Sequence, residues 1–290
     1  MKIGIAGTGR MGAAIAGRLA GLGHGVAVWN RTVAKARALG FRVCSTPSEL
    51  AECSEAVITM LADGAAVKQV YEGLLAGEVR GKLFIDMSTV RPAVSQSSAS
   101  RVKSKGAAFV ECPVGGSVGP AGQGRLFGFV AGEAQDVERA RPLLEQICRR
   151  IEHVGPAGSG ASMKLAINLP LLVYYQALGE ALSLLKNSGL TAEKIMDIIG
   201  DTSGAPAMLK NRGPQIAAVL AGKEPPAVSV DVDTIRKDLR EMLEEARSLG
   251  VALPVTAAAL ECYDHASRAG LGAKDCTVLP VNWSRQAKKP

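Results

Sequence analysis

The sequence predicts an α/β domain with a mainly parallel sheet, followed by an all-helical domain. Three observations lead to this prediction: strand-like apolar runs alternate with helical patterns in the first half, a glycine-rich segment ends the β pattern, and the remainder is helical almost to its end. Strands that alternate with helices are typical of βαβ units, in which the strands run parallel. The 290 residues suit two domains, which we place at residues 1–156 and 157–290.

Short apolar runs predict the strands of the first domain, and amphipathic stretches between them predict its helices. The predicted strands are Lys2–Ala6, Val26–Trp29, Ala56–Met60, Leu83–Asp86, Ala108–Val110, Leu126–Val130 and Ile151–Val154. The predicted helices are Gly12–Ala20, Val33–Leu39, Ala65–Tyr71 and Val137–Cys148.

The second domain follows residues 155–160, where glycine and proline interrupt the strand pattern. Residues Met163–Lys186 predict a long helix that is apolar on most sides and should therefore be buried. Pro170 removes one backbone hydrogen bond from this helix, so we expect a kink or a break there. Three further helices are predicted at Thr191–Ile199, Asp233–Leu249 and Pro254–Arg268.

The composition argues against several classes of protein. The net charge is +7, but basic residues are interleaved with acidic ones and only 4% of residues are aromatic, so we expect no nucleic-acid partner. The longest apolar stretch has polar interruptions and the N-terminus enters a strand at once, so we expect no membrane span and a cytoplasmic protein. The six cysteines lack metal-like spacing, which predicts reduced, mostly buried thiols and no metal site.

A glycine-rich turn follows the first predicted strand and opens the first predicted helix. Residues 7–12 read GTGRMG, the GxGxxG pattern of dinucleotide-binding folds. Gly7 permits the tight turn, Gly9 lets the backbone approach a pyrophosphate, and Gly12 lets the helix pack against the strand. The free N–H groups at the helix start attract the negative charge. The predicted cofactor residues of this turn are Gly7, Gly9, Arg10, Met11 and Gly12.

The residues after the second predicted strand indicate which dinucleotide is bound. NAD-binding folds usually place Asp or Glu there to bind the ribose 2′-hydroxyl, whereas this chain has Asn30-Arg31-Thr32. A carboxylate would repel a 2′-phosphate, but Arg31 can pair with one, and Asn30 and Thr32 can donate hydrogen bonds to it. NADP(H) is therefore favoured over NAD(H). The alternative is that Arg31 is a surface residue of a helix cap.

Four further segments follow in order along the chain. Residues 86–92 read DMSTVRP, residues 111–117 read ECPVGGS, residues 158–168 read GSGASMKLAIN, and residues 237–238 are Lys-Asp. With the glycine-rich turn, these segments resemble the β-hydroxyacid dehydrogenases over essentially the whole chain. That family includes 3-hydroxyisobutyrate dehydrogenase and glyoxylate/succinic semialdehyde reductase. The resemblance implies a Rossmann-type doubly wound sheet followed by an all-α C-terminal domain.

The resemblance also implies an activity and a set of site residues. The activity is the NADP(H)-dependent interconversion of a small aldehyde or semialdehyde and its hydroxy acid. Lys164 is the implied general acid/base, and Asn168, four residues later on the same helix face, assists it. Hydride delivery to a carbonyl leaves negative charge on oxygen, which an adjacent ammonium can stabilise and protonate. The other implied contacts are Leu61, Thr89 and Lys237 with the cofactor, and Ser88, Gly115, Gly116 and Ser117 with the small carbonyl substrate.

Residues 111–117, which resemble the substrate loop of the family and are called the substrate loop below, depart from the family pattern. Where relatives have Ser-Gly-Gly, this chain has Gly115-Gly116-Ser117, so a hydroxyl that binds the substrate carboxylate is absent from its usual place. The same segment matches the GxSxG nucleophile elbow of hydrolases. An elbow needs a helix directly after its serine, and residues 119–122 (GPAG) are not expected to begin one.

Two other functions remain as alternatives. An imine reductase shares the implied fold but generally has Asp or Tyr at the position of Lys164. A catalytically inactive NADPH-binding protein would have no reason to keep Lys164, Asn168 and Lys237 together. The apolar helix that begins near Met163 needs more cover than one small domain provides. We therefore predict a homodimer or a homotetramer that forms through the C-terminal half.

Overall fold

The structure, a computed structural model, describes residues 1–285. It divides into two compact units, Met1–Ala166 and Ile167–Pro290. The division lies inside a helix that begins at Ser159. The predicted domain boundary, after residue 156, falls just ahead of that helix and stays a prediction.

The first unit alternates strands with helices. Its strands are β1 (Lys2–Ala6), β2 (Gly25–Trp29), β3 (Arg42–Val43), β4 (Ala56–Thr59), β5 (Leu83–Asp86), β6 (Ala108–Glu111), β7 (Val114–Gly115), β8 (Leu126–Gly132) and β9 (Cys148–Gly155). Its helices are α1 (Arg10–Gly21), α2 (Val33–Arg37), α3 (Pro47–Glu52), α4 (Gly64–Leu74), α5 (Pro92–Ser104), α6 (Val118–Gly122) and α7 (Ala134–Leu144). All the predicted strands and helices of this part are confirmed, with ends shifted by up to four residues.

Five elements of the first unit were not predicted: β3, β7, α3, α5 and α6. The two strands have two residues each, too few for a periodic pattern. Helix α5 buries Ser95 and Ser98 along with Val102, so its buried face lacks the apolar period that marks a helix. A helix whose buried face contains serines is therefore missed when helices are predicted from the spacing of apolar residues.

The strands form one nine-stranded sheet in the order β3-β2-β1-β4-β5-β6-β8-β7, with β9 also paired to β8. From β3 to β6 all neighbouring strands are parallel. Strand β8 is antiparallel to β6 and β7 and parallel to β9. The order 3-2-1-4-5-6 is that of doubly wound dinucleotide-binding folds, so the predicted Rossmann-type sheet is confirmed. Its strand order reverses between β1 and β4, where such folds bind ligands at the carboxyl ends of the strands.

Apolar side chains cover both faces of this sheet, as expected for parallel strands flanked by helices. Val57 and Ile58, adjacent residues of β4, belong to opposite apolar clusters because successive side chains of a strand point to opposite faces. One cluster includes Ile3, Ile5, Ile15, Leu19 and Ile58, and the other includes Val57, Tyr71, Phe84 and Phe109. The core thus packs against β1 and β4 at the edge where the glycine-rich turn begins.

The cysteines do not take part in disulfides. All six are free, and four of them are buried, which confirms the predicted reduced, mostly buried thiols. Within residues 1–285, no three His, Cys, Asp or Glu side chains are grouped so that they could hold a metal ion.

The second unit is all-helical, as predicted. Helix α8 (Ser159–Leu184) begins in the first unit and leads into it. It is followed by α9 (Ala192–Gly200), α10 (Met208–Leu220), α11 (Val232–Ser248), α12 (Pro254–Ala266), a π-helical turn (Ser267–Leu271) and α13 (Val278–Arg285). Helices α10 and α13 were not predicted; α10 contains Gly213-Pro214, a pair that argues against a helix interior.

Helix α8 corrects two expectations. Of the kink or break expected at Pro170, the break does not occur, because Pro170 lies inside the continuous helix and its ring removes only one hydrogen bond there. The helix is also less buried within this chain than predicted, because Met163, Ile167 and Leu184 are exposed. By length and mean hydropathy α8 could cross a membrane, but core helices of soluble proteins meet the same criteria, so this property decides nothing.

Candidate active site

The glycine-rich turn joins β1 to α1 in the conformation that its sequence predicts. Gly7 has a φ of 99°, and a Cβ there would lie 2.3 Å from the carbonyl oxygen of Met60. A Cβ on Gly12 would lie 1.9 Å from the carbonyl oxygen of Gly7. Neither contact is sterically possible, so both positions require glycine for the turn and for the packing of α1 on the sheet.

The start of α1 is built to receive an anion. Gly9 is its N-cap, and no acidic residue lies in the first turn. A Cβ on Gly9 would have no neighbour within 4 Å, so a side chain there would fill the space in front of the helix N-terminus. The adjacent Thr8 hydroxyl is buried and has no hydrogen-bond partner within the described part of the chain. Open backbone N–H groups beside an unsatisfied hydroxyl fit the pyrophosphate of a dinucleotide.

The residues after β2 have different roles. The Asn30 side chain accepts a hydrogen bond from Thr8 N–H (3.1 Å) and donates one to the Thr32 carbonyl (3.0 Å). It therefore fastens the glycine-rich turn to the end of β2, a role that the sequence did not reveal. Arg31 and Thr32 are exposed, and the Thr32 hydroxyl does not cap α2. Their pairing with a 2′-phosphate stays a prediction.

A buried carboxylate organises the ends of β4 and β5. Asp86 Oδ1 accepts hydrogen bonds from Thr59 Oγ1 (2.8 Å), Ser88 Oγ (2.6 Å) and Ser88 N–H (3.1 Å). Burial raises the pKa of Asp86, and these hydrogen bonds oppose the rise. Ser88 Oγ in turn accepts from Leu61 N–H (3.0 Å). Ser88 therefore links Asp86 to the backbone at Leu61, just after β4. It lies next to the partly buried Thr89. The predicted contact of Ser88 with the substrate stays a prediction.

The substrate loop needs glycine at one of its two glycine positions. Gly116 has a φ of 125°, and a Cβ there would lie 2.8 Å from Leu126 Cδ2. A Cβ on Gly115 would have no neighbour closer than 3.7 Å. The backbone therefore requires glycine at position 116 but leaves room for a side chain at position 115.

A helix does follow Ser117, so the sequence argument against a hydrolase elbow was wrong. Pro120 is the third residue of α6, where its missing N–H costs little because first-turn N–H groups have no partner inside the helix. The backbone still excludes the elbow: Ser117 is extended, with a φ of −122°, whereas a nucleophile elbow is strained. The two histidines of this unit, His24 and His153, hydrogen-bond elsewhere.

Helix α8 carries Lys164, and Asn168 follows one turn later. Both residues are partly buried, and their spacing of four places them on one face of the helix. The apolar Met163 and Ile167 are exposed beside them. An ammonium and an amide thus lie together in an apolar stretch, which is a suitable setting for binding and protonating a carbonyl oxygen.

Three polar residues of the second unit form a cluster. Asp238 Oδ1 lies 2.6 Å from Lys237 Nζ, and Asn168 Nδ2 donates to Asp238 Oδ2 at 3.4 Å. Asp238 is buried and was not among the predicted site residues, although it belongs to the Lys-Asp motif. The structure therefore brings Asn168 and Lys237 together through a carboxylate that they share.

Gly12→Ala is expected to weaken NADPH binding by about ten-fold or more and to lower the Tm, because the new Cβ must push α1 away from the glycine-rich turn, which in dinucleotide-binding folds approaches the pyrophosphate. Fluorescence titration with NADPH and a thermal melt measure the two effects. Gly17→Ala is the matched control in the same helix, since a Cβ there meets nothing within 4 Å. The control should gain about 0.5–1 kcal/mol of stability. Binding of NADPH by Gly12→Ala with parent affinity would contradict the prediction.

Comparisons with known proteins agree with this geometry. The family profile described as the NAD binding domain of 6-phosphogluconate dehydrogenase matches residues 2–155. A second profile, the NAD-binding domain of NADP-dependent 3-hydroxyisobutyrate dehydrogenase, matches residues 158–280. Glyoxylate/succinic semialdehyde reductase 1 of Arabidopsis thaliana is 34% identical over 294 aligned residues, which cover 99% of this chain and 100% of that protein.

Solved structures show the same similarity. Mycobacterium tuberculosis 3-hydroxyisobutyrate dehydrogenase, described with L-serine, has a TM-score of 0.84 at 28% identity and covers 98% of this chain and 99% of its own. A structure described as Psf3 in complex with NADP+ and 2-OPP has a TM-score of 0.84 at 27% identity, with coverages of 97% and 99%. The similarity therefore spans both compact units.

Proposed function

Because the chain belongs to the β-hydroxyacid dehydrogenase family, we propose that it reduces a small semialdehyde to its hydroxy acid with NADPH. The family makes it a hydroxyacid dehydrogenase. The choice of NADPH and the role of Lys164 are parts of the proposal. The main observation behind this proposal is that Lys164 and Asn168 lie on one face of α8. In the same chain, the first helix begins at an open glycine-rich turn that suits an anion.

Lys164 and Asn168 have different roles in the proposed reaction. NADP(H), when bound, supplies or accepts the hydride at the carbinol carbon. During reduction, the Lys164 ammonium donates a proton to the carbonyl oxygen as negative charge develops there. During oxidation, the neutral lysine amine accepts the proton of the hydroxyl. Asn168, whose amide hydrogen-bonds to the Asp238 carboxylate, orients the substrate oxygen.

Three observations support NADP(H) as the cofactor. The end of β2 has no carboxylate that would repel a 2′-phosphate, and the exposed Arg31 guanidinium can pair with one. Asn30 fastens this segment to the glycine-rich turn, so a ligand bound at the turn would extend its ribose toward Arg31. A solved structure similar to this chain is described with NADP+.

The activity test is oxidation of NADPH and NADH with glyoxylate, succinic semialdehyde, tartronate semialdehyde and methylmalonate semialdehyde. We expect turnover with NADPH on at least one of them and a smaller kcat/KM with NADH. Reduction of a cyclic imine, with none of the four semialdehydes turned over, would favour the imine reductase. Tight NADPH binding without turnover on any carbonyl or imine would favour the inactive binding protein.

We also propose that the chain forms a homodimer or a homotetramer through its second unit. Several large apolar side chains there are exposed: Ile167, Leu184, Leu190 and Ile198. Leu184, at the end of α8, is the most exposed of these four, at 88%. Burial of such a side chain against a second copy of the chain is favourable by about 1.5–3 kcal/mol. Sedimentation at micromolar concentration should give a dimeric or tetrameric mass. A monomeric mass under those conditions would disprove the proposed assembly.

A further inference from the structure

One buried carboxylate joins three segments of the first unit at the start of α8. Glu111, the last residue of β6, is 2% exposed. Its Oε1 accepts hydrogen bonds from the N–H groups of Gly158 (2.8 Å), Gly160 (2.6 Å) and Ala161 (3.3 Å). Its Oε2 accepts one from the Ser95 hydroxyl of α5.

This arrangement caps α8 from outside the helix. The first N–H groups of a helix have no partner inside it and form its positive end. Such groups are usually capped by the side chain that directly precedes the helix, but here the cap comes from a strand 47 residues earlier. Burial raises the pKa of Glu111, and its hydrogen bonds with Ser95 and the helix N–H groups oppose that rise. The carboxylate therefore fixes the beginning of α8 to the sheet.

The glycines of the GSG sequence at residues 158–160 make the close approach possible. Gly158 has a φ of 100°, which few other residues adopt. A Cβ on Gly160 would lie 2.6 Å from the Phe129 carbonyl oxygen and 3.0 Å from Glu111 Oε1. The two glycines are thus required for the carboxylate to reach the helix end.

Each of the three joined segments carries predicted site residues. Glu111 is the first residue of the predicted substrate loop, residues 111–117. Ser95 lies in the helix that follows residues 86–92, the segment that carries Thr89. Lys164 comes three residues after Ala161, about 4.5 Å farther along α8, and residues three apart share a helix face.

We propose that Glu111 is a positioning residue for Lys164. Its carboxylate fixes the first turn of α8 to the sheet and puts a negative charge at the helix end from which the lysine projects, so the ammonium is held in place and in its protonated form. This inference rests on the proposed role of Lys164 as the proton donor. It does not depend on the choice between NADPH and NADH.

The variant Glu111→Gln separates charge from shape. Glutamine has nearly the same volume, and its amide oxygen can still accept from the helix N–H groups while its NH₂ donates to the Ser95 hydroxyl. We expect kcat to fall by about ten-fold or more, since a positioned proton donor contributes on the order of 10²–10⁴-fold. The alkaline limb of the pH–rate profile should move to lower pH. The Kd for NADPH should stay within about two-fold of the parent value, since the glycine-rich turn is built by other residues.

The ionisable side chains beside this carboxylate are Asp86 of β5, which is paired with Glu111 in the sheet, and Cys112, the next residue in the chain. From α5 and from the start of α8, the neighbours of Glu111 are a serine hydroxyl and backbone N–H groups. The neighbouring thiol is that of Cys112. A hydrogen bond with Cys148 and burial raise the pKa of Cys112 well above its ordinary value, so this thiol stays neutral across the assay range. Asp86 and Cys112 are present in every variant, so an alkaline limb that moves in Glu111→Gln and not in Glu111→Asp reports on the charge at position 111.

Two further variants complete the test. Glu111→Asp keeps the charge but is one methylene shorter, so it should lower kcat while the alkaline limb stays at the parent pH. Asp275→Asn is the control for loss of a buried charge: this carboxylate of the second unit accepts from Ser229 N–H, Ser229 Oγ and Thr277 N–H. Asp275→Asn should lower the Tm and leave the pH profile unchanged.

The outcomes separate this inference from the proposed function. A Glu111→Gln enzyme with a parent-like kcat and pH profile, whether or not its Tm falls as in Asp275→Asn, would overturn the positioning role. If Lys164→Met is inactive in the same assays, the proposed function survives that result. If Lys164→Met is active, the role of Lys164 as the proton donor fails and the inference about Glu111 fails with it, while the reduction of a semialdehyde is still supported.

Discussion

Lys164→Met is expected to lower kcat about 10³-fold, within the range for removal of a general acid or of a charge that stabilises an oxyanion. Methionine is unbranched and one atom shorter than lysine, and it can neither donate a proton nor carry a charge. The affinity for NADPH should remain within about two-fold of the parent value, because the pyrophosphate binds at the start of α1. Single-turnover oxidation of bound NADPH, with a fluorescence titration for binding, measures both quantities.

The matched control is Lys186→Met. Lys186 is exposed and lies two residues beyond the end of α8, so its removal changes the net charge equally without touching the candidate site. Parent turnover is expected for this variant. Parent turnover by Lys164→Met as well would show that another group supplies the proton.

Arg31→Asp is expected to change the ratio of kcat/KM for NADPH to that for NADH by about 10²-fold in favour of NADH. The substitution removes a charge-assisted hydrogen bond to the 2′-phosphate and introduces a carboxylate of the type that binds a free 2′-hydroxyl. Both cofactors are to be assayed at one ionic strength, because salt screens charge pairs at exposed positions. The expected change lies mostly in KM for NADPH, since the 2′-phosphate of that cofactor is far from the nicotinamide carbon that carries the hydride.

Arg37→Asp is the control for this change. Arg37 is exposed in the last turn of α2, so the same change in charge is made on the same short helix. Its ratio of kcat/KM values should stay within about two-fold of the parent ratio. An unchanged ratio in Arg31→Asp would mean that Arg31 is a surface residue of the helix cap, the alternative that the sequence leaves open.

Local patterns predicted most of the fold. The strands of the parallel sheet are continuous apolar runs because both of their faces are buried, and GxGxxG stands at a turn where Cβ atoms do not fit at Gly7 and Gly12. Helix α5 was not predicted because serines interrupt the apolar spacing of its buried face. Helix α10 was not predicted because it contains a Gly-Pro pair. The continuity of α8 through Pro170 was not predicted either, because a proline within a helical pattern indicates a kink or a break.

The sequence did not reveal the partners of the predicted site residues. Ser88 and Asn30 were predicted as ligand contacts, which stay predictions, and the structure shows that their side chains bind Asp86 and the backbone of Thr8. The contact between Glu111 and the start of α8 spans 47 residues. Pairings across such distances leave no local signal, because they arise only when the sheet brings the ends of its strands together.

The most direct test of the proposed reaction uses NADPH with two deuterium atoms at C4 of the nicotinamide. The parent enzyme is incubated with this cofactor and with the semialdehyde that it turns over fastest, and the hydroxy acid product is analysed by mass spectrometry. Direct hydride transfer predicts one deuterium on the carbinol carbon of every product molecule. A hydroxy acid without deuterium, or no hydroxy acid from any semialdehyde although NADPH binds, would contradict the proposed function.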